Sequence, residues 1–95
     1  MVTAIVLIKT DVHQVPETAQ ALADLPHVSE VYSVAGEFDL VAIVRVREHD
    51  ELADVVTGEI AKLPTITATE TLTAFRAYSR HDLERLFAIG FETAD

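Results

Sequence analysis

Cysteine is missing from the chain, which removes disulfide frameworks and thiolate metal sites from consideration at once. Glycine is nearly as scarce: Gly36, Gly58 and Gly90 lie too far apart to build a phosphate-cradling loop. Basic residues are few, seven Lys and Arg against sixteen Asp and Glu, for a formal net charge of −9. Affinity for nucleic acid rests on Lys/Arg neutralisation of phosphate with release of counterions, so this balance argues against a DNA-binding surface and equally against anionic lipid. No apolar run approaches the ~18 residues that span a bilayer. The start of the chain has neither a charged n-region nor an A-x-A site, so a soluble cytoplasmic protein is expected. The four histidines, His13, His27, His49 and His81, show no H-x-H or H-x-x-x-H spacing, and no metal site is expected from them. Asp11-x-His13 reads as an exposed loop, and no cofactor is implied.

What is present is an ordinary globular composition, 49% hydrophobic and 24% charged over 95 residues, enough for one compact core. Val2–Ile8 is β-branched and apolar on both alternating faces, the pattern of a strand buried on two sides. After a polar connector, Val15-Pro16-Glu17 opens a helix, with Pro16 suited to the first turn and Glu17 to the positive end of the helix dipole. Val15, Ala19, Leu22 and Leu25 share one face of it, and Pro26 ends it. Strands follow from about Val28 to Ala35 and from Phe38 to Val46, joined by a tight turn in which Gly36 can supply a positive φ. A second helix starts in Glu48-His49-Asp50-Glu51 with Asp50 as its cap and buries Leu52, Val55, Val56, Ile60 and Leu63. Gly58, inside that helix, reads as a close-packing position. Pro64 closes the helix, and a long last strand is expected from Thr65 to about Tyr78.

The order strand, helix, strand, strand, helix, strand is the split βαβ, ferredoxin-like arrangement of the α+β class, βαββαβ around a four-stranded antiparallel sheet. Its first and third strands are central, and they are the two with apolar residues on both faces. Both helices cover one face of the sheet, so the other face stays apolar with nothing left to cover it. A bare apolar face of several hundred square ångströms marks an association surface, and a sheet-to-sheet dimer is the simplest expectation. Residues 79–95 fall outside the six elements as an extension. Ser79-Arg80-His81-Asp82 resembles a capping box, and Leu83, Leu86, Phe87 and Phe91 follow helical spacing, which predicts an extra C-terminal helix that docks on something.

Two features could carry chemistry. Thr67, Thr69, Thr71 and Thr73 recur at the strand period and so share one face of the last strand. Such a row reflects either β-propensity or a set of hydroxyls suited to a zwitterionic ligand. In the turn Gly36-Glu37-Phe38-Asp39, backbone N–H groups around Gly36 could hold a carboxylate and Asp39 an amino group. The alternatives are a hairpin that needs glycine and an Asp39 that bonds to its own backbone. An enzyme is not expected, because the sheet faces offer Val, Ile, Leu and Ala where an acid–base pair would be needed.

Val31-Tyr32-Ser33-Val34-Ala35-Gly36-Glu37-Phe38-Asp39-Leu40, an apolar strand after it and a later Thr69-Glu70-Thr71 together resemble the effector-binding module, or RAM domain, of the Lrp/AsnC family. The resemblance covers Val2 to Tyr78, giving a RAM domain over 1–78 and an extension over 79–95. It implies dimeric α+β barrel association, dimers assembled into octamer- or decamer-like rings, and an amino acid or related small metabolite bound between dimers. Gly36, Glu37, Phe38 and Asp39 would then form the effector loop, with Thr69 and Thr71 lining the same cleft. The family's helix-turn-helix has no counterpart here, since the first strand begins at Val2. The chain therefore resembles a stand-alone module that regulates without touching DNA directly and can form mixed oligomers with Lrp/AsnC-type regulators. The extension is expected to pack across a subunit boundary. Two other readings share the fold: a small enzyme of the dimeric α+β barrel type, such as a monooxygenase or isomerase, and an ACT-like sensor. The ACT module usually has a glycine in its first strand–helix connector, and Lys9–His13 has none.

Overall fold

A computed structural model describes residues 1–78 and residue 80. The four strands are β1 (Val2–Thr10), β2 (Val28–Ser33), β3 (Leu40–Val46) and β4 (Ile66–Thr73), and the two helices are α1 (Val15–Ala23) and α2 (His49–Val55). All neighbouring strands pair antiparallel in the order β2-β3-β1-β4. This is the expected ferredoxin-like sheet, with the two doubly apolar strands in its centre.

Strand alternation divides the sheet into two unequal faces. Ala4, Val6 and Ile8 of β1 and Leu40, Ala42 and Val44 of β3 are fully buried. They lie beneath α1, which packs on β2 and β3, and α2, which packs on β3 and β1. Leu22, Leu52, Val55 and Ile60 close the core from the helix side. The opposite face carries Ile5 and Leu7 of β1 beside Val41 and Ile43 of β3 and Leu72 of β4, as the register dictates. No described element covers these side chains; Ile5, Leu7, Val41 and Ile43 are half-buried and Leu72 is exposed.

Several boundaries differ from expectation for identifiable reasons. β1 runs on to Thr10, and a short 3-10 turn over Val12–Gln14, capped by the Asp11 carboxylate accepting from the His13 N–H at 2.9 Å, leads into α1. Pro16 does sit in the first turn of α1. β4 stops at Thr73 rather than Tyr78, because Thr73 pairs with Ala4 and the Ala74 N–H reaches the Thr3 carbonyl close to the start of β1, where little partner strand remains. Phe75 and Tyr78, past that point, are exposed. The cap of α2 is Glu48, not Asp50, and the Glu51 carboxylate reaches back to accept the N–H groups of Arg47 and Glu48 at 3.1 Å each.

Gly58 is not a close-packing position. A Cβ there would meet nothing within 4 Å, and the glycine sits in a π-helical turn over Val56–Ile60 closed by the Ala61 N–H on the Val56 carbonyl at 2.9 Å. The expected capping box and the Leu83–Phe91 stripe lie outside the described residues.

Candidate functional site

β1 lies beside β3, so the C-terminal end of β1 meets the loop that leads into β3. Gly36 takes φ +133°, a conformation that L side chains rarely adopt, and turns the chain between β2 and β3. The hairpin is then pinned to the sheet. Val34 N–H donates to the Asp39 carbonyl at 3.0 Å, and Asp39 N–H donates to the Ile8 carbonyl at 2.9 Å. The Asp39 carboxylate does not bond to its own backbone, as a turn aspartate would. Its Oδ2 accepts the Thr10 N–H at 2.9 Å, across the gap from β3 to β1.

Lys9 lies against the two residues between. Its ammonium stands 3.9 Å from the Glu37 carboxylate and 5.6 Å from the centre of the Phe38 ring. The ion pair is well exposed, and such pairs contribute little, in the range of about 0–1 kcal/mol. The cation–π contact adds an amount of similar order. Charge therefore decorates this loop, while the backbone of β1 and the Asp39 carboxylate hold it.

Thr69, Thr71 and Thr73 oppose Ile8, Val6 and Ala4, which puts the three on the helix side of the sheet, and all three are exposed. Thr67 falls where the register shifts, and its hydroxyl donates to the Lys9 carbonyl at 3.2 Å. Leu40, Ile8 and Thr69 form one row across three strands, so β1 separates the Gly36–Asp39 loop from the threonines by two strand spacings, roughly 10 Å. The six expected site residues thus fall in two groups, the loop beside the C-terminal end of β1 and the threonines across it, with Thr69 opposite Ile8 and Thr71 opposite Val6 at the middle of β1.

Reading the sequence alone missed Lys9, whose ammonium flanks the loop, Thr10, whose amide holds it, and Thr18 and Thr65, whose hydroxyls surround Thr10. Thr10 Oγ1 donates to the Thr65 carbonyl at 2.8 Å and lies 3.1 Å from Thr18 Oγ1, which is 2.5 Å from Thr65 Oγ1. The usable signal was the strand order: once β1 is placed next to β3 and β4, its last residues must border both the loop and the entry to β4.

The open apolar face has a polar rim. Arg45 Nη1 lies 3.8 Å from a Glu30 carboxylate oxygen, and the Tyr32 hydroxyl donates to the same carboxylate. That hydrogen bond to Glu30, with the negative charge beside it, raises the phenol pKa above its ordinary value. A groove of about 370 Å3 opens at the far end of the sheet between Thr3, Arg45, Phe75 and Arg76; none of the six expected site residues lines it. Among the described residues no group of three or more His, Asp or Glu side chains is placed to hold a metal ion, and no helix is long and apolar enough to cross a membrane.

Comparison with known proteins agrees with this architecture. The Lrp/AsnC ligand binding domain matches residues 3–83. The HTH-type transcriptional regulator FL11 of Pyrococcus horikoshii is 28% identical over 75 residues, 79% of this chain and 49% of the regulator. The chain thus spans about half the length of that curated relative. A crystal structure of TTHA0845 from Thermus thermophilus is 52% identical, with a TM-score of 0.79 over 84% of this chain and 100% of that one. The feast or famine regulatory protein of M. tuberculosis, solved in complex with L-methionine, is 28% identical, with a TM-score of 0.71 over 84% of this chain and 54% of its own. With a family model matching most of its length and a ferredoxin-like sheet of the same topology, the chain belongs to the Lrp/AsnC family through its ligand-binding domain.

Proposed function

We propose that this protein is a non-enzymatic sensor that binds a free amino acid, or a related small metabolite, at seams between copies of itself. The observation that carries this reading is the sheet face of Ile5, Leu7, Val41, Ile43 and Leu72, which no described element covers. Apolar area of this kind gains roughly 25 cal/mol for each square ångström removed from water, and a second sheet of the same composition supplies the removal. The rim favours a two-fold partner, since Arg45 and Glu30 bring opposite charges to one border.

In this reading Gly36, Glu37, Phe38 and Asp39 form the effector loop. A carboxylate accepts about four hydrogen bonds, so an Asp39 that holds the Thr10 N–H keeps capacity for a ligand ammonium. Thr69 and Thr71 are exposed hydroxyls suited to a ligand's polar end. Because β1 separates them from the loop within one chain, the cleft that uses both is completed by a neighbouring copy, and dimers assemble into a ring. The L-methionine complex of the mycobacterial relative supports an amino acid as the class of effector. Ligand binding that requires the assembled form stabilises it by mass action, which links sensing to assembly and to partnership with Lrp/AsnC-type regulators.

The enzyme alternative places its cavity between sheet and helices. The described side chains there include Ala4, Val6, Ile8, Leu22, Leu40 and Val44, all fully buried, and the two buried polar ones, Thr10 and Thr18, are hydrogen-bonded to each other and to Thr65, which favours a packed core over a reaction chamber. A thermal-shift screen of the proteinogenic amino acids on the wild type and on Asp39→Ala tests the site. The expected result is stabilisation of the wild type by at least one of them and none of the variant. An equal shift in both rejects Asp39 as the amino-group partner.

A further inference from the structure

The three threonines around the end of β1 determine each other's proton positions. A carbonyl only accepts, so the single Thr10 hydroxyl proton is committed to the Thr65 carbonyl at 2.8 Å. The 3.1 Å contact between Thr10 and Thr18 is then donated by Thr18. With the Thr18 proton spent, the 2.5 Å contact to Thr65 is donated by the Thr65 hydroxyl. The result is a closed circuit: Thr65 hydroxyl to Thr18, Thr18 to Thr10, Thr10 to the Thr65 carbonyl. That carbonyl also accepts the Asp11 N–H at 3.0 Å. Thr10 and Thr18 are the only buried polar residues among the described ones, at 5% and 1% exposure. Hydroxyl circuits in such surroundings reinforce one another and resist partial opening. Thr10 is also the residue whose N–H holds Asp39. One residue therefore joins the effector loop, α1 and the entry to β4.

We propose that Thr10, locked by Thr18 and Thr65, is the positioning residue of the effector site, its amide aiming the Asp39 carboxylate and its hydroxyl coupling that aim to the entry of β4. This rests on the effector-loop reading above. An α-amino acid whose ammonium engages Asp39 alters the pull on the Thr10 amide. The circuit carries that change to Thr65 and Ile66, at the base of the strand that bears Thr69 and Thr71. The two groups of site residues, separated by β1, thereby respond together.

The separating variant is Thr18→Val. It has nearly the same shape and orphans no buried donor: Thr10 still donates to the Thr65 carbonyl, and the half-buried Thr65 hydroxyl can turn to water. Thr18→Ser restores the hydroxyl. Amide hydrogen exchange on the full chain is the first readout. In Thr18→Val the Thr10 amide is expected to exchange faster, on the order of ten-fold, relative to the core amide of Ala42, and Thr18→Ser is expected to return it toward wild type. A Thr10 amide that is unchanged, or that speeds up only in step with Ala42, overturns the proposal. Should Thr18→Val not fold, Thr65→Val poses the same question at a less buried position.

The second readout is an NMR titration with L-methionine and then the other proteinogenic amino acids. In the wild type, resonances of Asp39 and of Thr65 and Ile66 are expected to move together; in Thr10→Val, which keeps the amide that holds Asp39 but removes the hydroxyl that donates to the Thr65 carbonyl, only Asp39 responds. Concerted movement that persists in Thr10→Val overturns the coupling. A wild type that responds to no amino acid rejects the effector reading, while the exchange measurement still decides whether Thr10 ties the loop to β4.

Discussion

The two faces of β1 are built from much the same residues and have opposite fates. Ala4, Val6 and Ile8 point to the helices and are fully buried, whereas Ile5 and Leu7 point the other way and remain half-exposed. A strand that needed only one buried face would alternate apolar with polar. Carrying Ile5 and Leu7 opposite Ile43 and Val41 makes sense physically if the second face is also withdrawn from water, which a second copy can do. The first face specifies the fold, and the second is the surface through which we propose that copies associate.

The largest effect that should separate the faces comes from truncation. Ile8→Ala deletes a fully buried side chain and is expected to cost about 2–5 kcal/mol, independent of protein concentration, in urea unfolding. Leu7→Ala on the open face is expected to cost less at low concentration, and its cost should grow as concentration rises, because it weakens assembly rather than the core. Equal and concentration-independent costs at both positions would erase the distinction.

Asp39→Ala tests the loop end of the same strand. It removes a charge-assisted bond to the Thr10 amide and is expected to destabilise by about 1–3 kcal/mol, together with loss of amino-acid-dependent stabilisation. A smaller effect is expected at the turn. Gly36→Ala forces a side chain to φ +133°, at roughly 1–2 kcal/mol, although the space around it is empty. The smallest is Gly58→Ala, where space is open and φ is unremarkable. Calorimetry should find that variant unchanged or more stable by up to about 1 kcal/mol, and a marked loss would revive the close-packing reading.

Much of this architecture was legible from local pattern. Apolar residues on both faces of Val2–Ile8 and of the strand expected over Phe38–Val46, which begins at Leu40, foretold the two central strands, and Gly36 in a short gap between strands foretold the turn with positive φ. Pattern failed where a partner sets the outcome. β4 ends at Thr73 because β1 is nearly used up there, which composition does not encode; Phe75 and Tyr78 would suit a strand equally well. Glu48 displaced Asp50 as the cap because Glu51 reaches back three residues, a choice between neighbouring acids that propensity cannot rank. For Asp39 the sequence left a self-bonding turn residue open beside an amino-group partner, because its donor, the Thr10 N–H, is remote in sequence and adjacent only after β1 and β3 pair. Thr18 interrupted an otherwise apolar helix stripe, and only the folded chain reveals the two hydroxyls that satisfy it.

Most depends on whether the Ile5/Leu7/Val41/Ile43 surface is covered in solution. Sedimentation velocity at micromolar concentration, on the wild type and on Leu7→Asp, measures this directly. The wild type is expected to sediment as a multiple of the 10.4 kDa chain, and Leu7→Asp as a smaller species that keeps its circular dichroism. A wild type that sediments as a folded 10.4 kDa monomer would contradict association through this face.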